Sequence, residues 1–157
     1  MTTDLTILVR ELEEQEIRLQ FDGFSHDDAW RLGSLLRELA AGRGHPVAID
    51  VTRGDQQLFH ATLAGSTADN DDWITRKIRV VRRYEESSYL VGRRHALAGT
   101  DFSSATGLSA ALYAPHGGSF PVKIRGSGLI GTVSVSGLPQ EEDHALLVEA
   151  IGLFLQQ

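Results

Sequence analysis

The spacing of hydrophobic residues along the chain predicts five helices. In each of these segments apolar residues recur every three or four positions, as they do in a helix with one buried face. Asp4 and Ser25 can cap the first two helices, and side chains of residues 69–72 can cap the third. The predicted helices cover residues 4–19, 25–42, 71–86, 87–97 and 139–155.

A second pattern, the alternation of apolar and polar residues, predicts two β-hairpins. One pairs residues 47–51 with residues 57–63, and the other pairs residues 120–125 with residues 129–136. Consecutive hairpins imply antiparallel pairing, and helices that come in blocks indicate an α+β fold with helices against the sheet. Since no linker composition or repeat interrupts the chain, we expect residues 1–157 to form a single domain.

The last predicted helix differs from the others because it is apolar on most of its sides. Such a helix lies either deep in the core of one chain or between two subunits. A small sheet has only one wide face to cover it, so we favour a subunit interface and expect a homo-oligomer, a dimer or larger. The apolar residues are Leu146, Leu147, Val148, Ile151, Leu153, Phe154 and Leu155.

Composition excludes several kinds of chemistry. The chain of 157 residues has no cysteine, which rules out disulfide frameworks, thiolate zinc sites, iron–sulfur clusters and cysteine nucleophiles. No apolar run approaches the roughly 18 residues that a membrane helix needs, and the first residues lack the pattern of a signal peptide. We therefore expect a soluble, cytoplasmic protein that does not enter a membrane.

Charge is unevenly distributed along the chain. The net charge is −6, so the molecule as a whole should repel nucleic acid, and we expect no nucleic-acid partner. Basic residues outnumber acidic ones only in residues 51–100. A small anionic ligand is therefore expected to bind in that part of the chain.

The first candidate site lies at the start of the third predicted helix. There Arg76 and Lys77 could hold a carboxylate or phosphate, Trp73 could stack on the ligand, and Asn70 could add a hydrogen bond. Arg76 also begins a row of arginines on one face of this helix. The alternative interpretation is a solvated face whose cations form ion pairs within the chain or between subunits, because runs of charge usually lie on surfaces.

The second candidate site is the segment His116-Gly117-Gly118-Ser119-Phe120. Its two glycines could turn backbone amides toward a small anion or a carbonyl group, and His116 could act as a base or a metal ligand. Ser119 could be a nucleophile, but no Gly-x-Ser-x-Gly sequence surrounds it. We favour a tight turn that leads into an edge strand, and we assign no catalytic residue.

Histidine spacing gives no metal site. The six histidines are scattered, with neither a His-x-x-x-His nor an HExxH spacing among them. His60 falls in a predicted strand and His144 in the first turn of a predicted helix, so either could be a polar residue of the core. We predict no bound metal ion.

Several segments together resemble a known family. They are Phe21-Asp22-x-Phe24, Asp28-Ala29-x-x-Leu32-Gly33, Leu58-Phe59-His60, Asp69-Asn70-x-x-Trp73-x-x-Arg76-Lys77, Glu86-Ser87-Ser88, His116-Gly117-Gly118-Ser119-Phe120-Pro121 and Val135-Ser136-Gly137-Leu138-Pro139-Gln140-Glu141-x-Asp143-His144. This set resembles the haem-degrading-domain family (GlcG/HbpS-like), and fits best its branch of uncharacterised proteins. The resemblance implies a profilin-like or PAS-like α+β domain, with an antiparallel sheet flanked by helices, that assembles into dimers and larger homo-oligomers.

Three functions remain open at this point. The first is an oligomeric module that binds a small anionic ligand, or another protein, at a site formed by residues 70–77 and 116–120. The second follows from the resemblance and is the binding or degradation of haem, with His116 or His60 near the iron. The third, ranked last, is a hydrolase or isomerase that uses His116 and Ser119.

Overall fold

The computed structural model describes residues 2–157 and gives the following order of elements. The helices are α1 (Thr2–Arg18), α2 (His26–Gly42), α3 (Ala68–Tyr84), α4 (Ser88–Ala98), α5 (Phe102–Thr106) and α6 (Gln140–Leu155). The strands are β1 (Ala48–Arg53), β2 (Gln56–Thr62), β3 (Ser119–Ile124) and β4 (Gly128–Ser136). The predicted α+β class is confirmed, and each predicted helix and strand is present with ends shifted by a few residues.

The start of α3 differs from the prediction. The helix begins after Thr67, whose backbone N–H donates to Oδ1 of Asn70 at 2.9 Å. Residues 69–72 were expected to cap the helix from outside, but they lie within its first turns. The short α5 was not predicted, because five residues are too few to show a helical period.

The four strands form one antiparallel sheet in the order β2-β1-β4-β3. Because side chains alternate between the two faces of a strand, the register divides the sheet into two chemically different faces. One face is apolar and packs on α2 and α6. The opposite face carries buried polar side chains, Asp50, Thr52, Ser119, Thr132, Ser134 and Ser136, and α3 packs against it.

The position of α6 corrects the interpretation of the last helix. Leu147, Ala150 and Ile151 have no exposed surface, and they pack into the chain's own core together with α2 and the sheet. Leu153 is the large apolar residue of α6 that stays on the surface, with 41% of its area exposed. The apolar character of this helix is therefore explained within one chain, without a subunit interface.

Within residues 2–157, none of the helices combines the length and the apolar character needed to cross a membrane.

Candidate functional site

Helix α3 supplies the first side chains of the site. Asn70, Trp73 and Lys77 are three and four residues apart, so they lie on neighbouring turns of one helix face. Asn70 is fixed from both ends of its amide, since Oδ1 accepts the bond from Thr67 and Nδ2 donates to Oγ of Ser136 at 3.4 Å. The cap of α3 and its contact with β4 therefore share one residue.

The segment that precedes β3 carries His116 and is anchored to α3 and α6. The backbone N–H of Ala114 donates to the carbonyl of Arg76 at 3.1 Å. The backbone N–H of Gly117 donates to Oε1 of Gln140, the first residue of α6, at 3.0 Å. These bonds on either side of His116 hold it opposite the face of α3 that bears Trp73.

Helix α4 closes the site from another side, and a glycine allows it to come close. A Cβ at Gly92 would lie 2.0 Å from the carbonyl oxygen of Pro115, a separation that no larger residue could accept without movement. The close packing brings Arg93, the next residue of α4, to the same region as His116.

Trp73 and His116 meet edge to face and line two cavities. Their ring centroids are 5.7 Å apart and their planes are inclined at 84°. One cavity, of about 330 Å³, is also lined by Asn70, Lys77, Ser136, Gln140 and Asp143, and we call it the lysine cavity. The other, of about 370 Å³, is also lined by Arg76, Arg93, His95, Phe102 and Tyr113, and we call it the arginine cavity.

A buried ion pair lies at the lysine cavity. Nζ of Lys77 is 3.3 Å from Oδ2 of Asp143 and 3.4 Å from the carbonyl oxygen of Val135, while Oδ1 of Asp143 accepts the backbone N–H of Leu138 at 3.1 Å. Lys77 is 3% exposed and Asp143 is 1% exposed. Burial lowers the pKa of Lys77 and raises the pKa of Asp143 to about 6, and it is the largest cause of the pKa shift in each case.

The two arginines of the arginine cavity differ in how far they are paired. Arg76 bonds through Nε to Oδ2 of Asp72 at 3.0 Å, and its guanidinium carbon lies 3.9 Å from the centroid of the Trp73 ring. Arg93 has its guanidinium 5.7 Å from the Tyr89 ring centroid, and its buried Nε has no hydrogen-bond partner among the described residues. Of the two arginines that line this cavity, Arg93 is therefore the one whose positive charge is not paired with a carboxylate of residues 2–157.

His116 keeps an exposed edge, but its surroundings oppose a positive charge. Partial burial lowers its pKa first, and the charges of Lys77, Arg93 and Arg76 lower it further. At neutral pH the imidazole is thus uncharged, with one nitrogen able to donate a hydrogen bond and the other able to accept one.

The structure brings together only part of the predicted site. Asn70, Trp73, Lys77 and His116 line the lysine cavity, whereas Arg76 lines the arginine cavity. Lys77 was expected to hold an anion, but Asp143 already neutralises its charge.

Residues 117–120 are buried in the chain. Gly117 and Gly118 are buried and serve close backbone packing: a Cβ at Gly118, where φ is 134°, would lie 2.5 Å from Nζ of Lys77. Ser119 and Phe120 have no exposed surface, and Oγ of Ser119 accepts a bond from Ser134 at 2.8 Å. Neither side chain reaches a cavity surface in this arrangement.

Two further arginines of α3, Arg79 and Arg82, bond within the chain. Arg79 donates to the carbonyl of Leu112 at 3.1 Å, and Arg82 bonds to the carbonyl of Gly54 and lies 3.6 Å from Asp55. These cations fix the segment before β3 and the turn between β1 and β2.

Three residues of the site were not predicted. Arg93 and Arg94 are adjacent in sequence, and nothing in the sequence distinguishes their roles. In the structure Arg94 pairs with Glu13 and Glu86, whereas Nε of Arg93 has no hydrogen-bond partner among the described residues. Asp143 and Gln140 lie in the first turn of α6, where acidic and polar residues are ordinarily explained by the helix dipole.

The histidine and carboxylate side chains are dispersed in the described part of the chain. Within residues 2–157, no group of three or more histidine, aspartate or glutamate side chains comes together in a way that could hold a metal ion. His60 pairs with Asp71 at 2.8 Å on the surface, and His144 is buried with Nε2 bonded to Oε1 of Gln15 at 2.9 Å.

Comparison with known proteins gives a family match and close relatives. The family described as "Haem degrading protein HbpS-like" matches residues 24–152. UPF0303 protein SCO2848 of Streptomyces coelicolor is 60% identical over 147 residues, which cover 94% of this chain and 93% of that protein. A UPF0303 protein of Rhizobium leguminosarum bv. trifolii is 51% identical over 144 residues, covering 92% and 87% of the two chains.

Solved structures agree with the fold. The crystal structure of the Ybr137w protein superposes with a TM-score of 0.87 at 31% identity, over 94% of this chain and 88% of that one. The PduOC:Heme complex superposes with a TM-score of 0.68 at 17% identity, over 83% and 94% of the two chains. At that identity the second likeness shows a shared fold and no more.

Proposed function

This chain belongs to the HbpS-like family of haem-degrading proteins, and for this member of the family we propose that the arginine cavity binds a small anionic ligand. The proposal rests on the unpaired guanidinium group of Arg93. Its Nε is buried without a hydrogen-bond partner, and no carboxylate among the described residues pairs with its guanidinium. A buried polar group without a partner is unfavourable, so an anion that bonds to it gains affinity.

The rest of the arginine cavity indicates what else the ligand carries. Phe102, Tyr113 and Trp73 contribute aromatic surface, which suits a ligand with a flat apolar body. Arg76 lies on the same cavity and can share the anionic group with Arg93. A volume of about 370 Å³ suits a small molecule rather than a peptide. An aromatic carboxylate has this combination of groups.

His116 is suited to orient such a ligand without adding charge. Its neutral imidazole can donate a hydrogen bond to the ligand or accept one from it. Since the nearby cations keep it neutral, its role is positioning by a hydrogen bond, and the electrostatic attraction comes from the arginines.

The experiment uses the fluorescence of Trp73. The chain has two tryptophans, so in a Trp30→Phe background Trp73 is the single reporter. We expect benzoate to change its emission saturably at constant ionic strength, and Arg93→Met to weaken the affinity by about tenfold or more. Arg83→Met, on the exposed side of α3, is the matched control and should leave the affinity unchanged. An equal response of the two variants would contradict the proposal.

Haem is the second candidate, because the family description names it and because the donor groups present fit it. His116 would hold the iron through its neutral imidazole, and Arg76 and Arg93 would pair with the propionates. Phe102 and Tyr113 provide apolar contact. Haem, when bound, supplies redox chemistry at iron, and the part of this chain's residues would be to hold and orient it.

The haem alternative has its own experiment. Titration of the protein with haemin should give a shifted Soret band with a defined stoichiometry, and His116→Ala should abolish the shift. His95→Ala is the control, since His95 lines the same cavity but bonds through Nδ1 to Thr100 at 2.9 Å. If both variants keep the shifted band, His116 is not the iron ligand.

Self-association and a cytoplasmic location form part of the same proposal. Support for association comes from large apolar side chains that remain on the surface: Ile7, Ile17, Trp30, Leu112 and Leu153. Light scattering coupled to size exclusion measures the subunit number directly. A monomer at all concentrations would contradict this part of the proposal.

A further inference from the structure

Lysine is rare in this chain, and its placement is selective. Of the fifteen lysine and arginine residues only Lys77 and Lys123 are lysines. Lys77 is the buried one, at the lysine cavity and beside Asp143. An arginine there would keep its charge at any ordinary pH, whereas a lysine can lose its proton and become a nucleophile.

The amine of Lys77 has more hydrogen-bond donors than the protein has acceptors for it. An ammonium group has three N–H donors, and the protein provides two acceptors at long distances, 3.3 Å to Asp143 and 3.4 Å to the carbonyl of Val135. Gly118 faces the amine without a side chain, and any Cβ there would lie 2.5 Å from Nζ. The amine is thus kept clear of side chains on that side.

The cavity in front of Lys77 is polar and electrically balanced. Asn70, Ser136 and Gln140 line it with amide and hydroxyl groups, while the charges of Lys77 and Asp143 offset each other. Such a lining favours a neutral ligand with hydrogen-bonding oxygens over an anion. It contrasts with the arginine cavity, where positive charge is in excess.

From this arrangement we propose that Lys77 forms an imine with a small aldehyde or ketone that enters the lysine cavity. The proposal goes beyond the anion site, because it concerns the other cavity and a covalent bond. A pair of ionisable groups next to an accessible cavity, one basic and one acidic, is the minimum that imine chemistry needs.

The atoms and charges of the reaction balance with the groups present. Lys77 first gives a proton to Asp143, and the neutral amine attacks the carbonyl carbon to form a C–N bond. A proton passes from nitrogen to oxygen, which gives a carbinolamine. Asp143 then returns its proton to the hydroxyl group, water leaves, and a protonated imine remains beside the Asp143 carboxylate. The products are one imine and one water, with no oxidant or reductant required.

Burial supports the first of these steps. It lowers the pKa of Lys77 and raises that of Asp143, so both shifts favour transfer of the proton from the amine to the carboxylate. An exposed ion pair of the same residues would hold its proton on lysine, and the amine would not react at neutral pH.

The test is reductive trapping in the full chain. The protein is incubated at pH 7 with propionaldehyde, or separately with pyruvate, in the presence of cyanoborohydride, and modified residues are located by peptide mass spectrometry. Lys123 is an internal control, since every other basic side chain of the protein is arginine or histidine. We expect Lys77 to be labelled about tenfold or more faster than Lys123, because an ordinary lysine is almost fully protonated at this pH.

Variants sharpen the result. Lys77→Arg should leave only the labelling of Lys123 and the N-terminus, and Asp143→Asn should slow the labelling of Lys77. Labelling confined to Lys123 and the N-terminus in the unaltered protein would overturn the proposal, even if neither variant folds. Arg83→Met, on the exposed side of α3, should leave Lys77 labelling unchanged. Labelling of Lys77 and the response of Trp73 to benzoate are measured separately, so failure of the anion site and failure of the imine site are distinguishable.

Discussion

The ring of Trp73 meets the ring of His116 edge to face at 5.7 Å, and the pair forms a wall common to both cavities. Trp73 comes from α3, whereas His116 comes from the segment before β3 that the bonds of Ala114 and Gly117 hold in place. A change at either ring should therefore alter the environment of both cavities.

Trp73→Ala should raise the pKa of His116 toward its ordinary value. Burial is the main cause of the lowered pKa of His116, so removal of the neighbouring indole admits water and favours the charged imidazole. NMR titration of the histidine Cε1–H resonances measures the shift. Trp30→Ala is the control, since Trp30 packs on Phe59 instead. A pKa of His116 that does not move in Trp73→Ala would show that the indole does not desolvate it.

Gly92→Ala should weaken the fold and displace His116. Its Cβ would lie 2.0 Å from the carbonyl oxygen of Pro115, so α4 and this segment must separate. Overpacking of this kind costs about 1–3 kcal/mol of unfolding free energy. Gly152→Ala, at a helical glycine with open space around it, should instead stabilise the protein by up to about 1 kcal/mol. Urea denaturation measures both, and a gain in stability for Gly92→Ala would contradict the close packing.

Local patterns explain why most of the fold could be predicted. Helical periodicity and strand alternation depend on neighbours in sequence, and the capping box of Ser25 with Asp28 follows the same local logic. The location of α6 depends instead on what covers it. Its apolar sides are buried by α2 and the sheet, and the sequence of the helix alone did not distinguish this from a subunit interface.

Helical spacing predicts only those residues of the site that lie on one face of α3. Asn70, Trp73 and Lys77 share a helix face, and they line the lysine cavity together with His116; that they bind a ligand there stays a prediction. The partner of Lys77 is 66 residues away in sequence, and an acid in a first turn is ordinarily solvated, so Asp143 could not be identified as that partner.

Asp143→Asn should destabilise the protein far more than loss of an exposed ion pair. It leaves the charge of Lys77 buried without a negative charge beside it, which costs about 3–5 kcal/mol. The double variant Lys77→Met with Asp143→Asn removes both charges and should recover much of that loss. Asp22→Asn is the control, because its ion pair with Arg125 is exposed and contributes about 1 kcal/mol or less. Chemical denaturation at pH 7 compares the four proteins, and equal losses for Asp143→Asn and Asp22→Asn would show that Lys77 and Asp143 are not ionised in the fold.

The buried carboxyl group of Glu16 makes the stability of the fold depend on pH between about 4.5 and 7. It is 7% exposed and accepts the backbone N–H of Ser87, the residue that caps α4, at 3.0 Å. Burial raises its pKa from 4.5 to about 7. Between these values the folded protein holds a proton that the unfolded chain has released. Its contribution to stability is therefore complete below about pH 4.5 and is lost as the pH rises toward 7.

Glu16→Gln should remove this dependence, because glutamine resembles the protonated form and can still accept the bond from Ser87. Relative to the unaltered protein, we expect little change at pH 4 and a gain of up to about 3 kcal/mol at pH 8. The difference between the two proteins isolates Glu16 from His144, whose lowered pKa of about 4 gives the opposite slope below pH 6.5. Glu14→Gln, on the exposed side of α1, should give no pH-dependent difference. Urea unfolding from pH 4 to 8 measures all three, and a constant difference between Glu16→Gln and the unaltered protein would show that the pKa of Glu16 is the same in the folded and the unfolded chain.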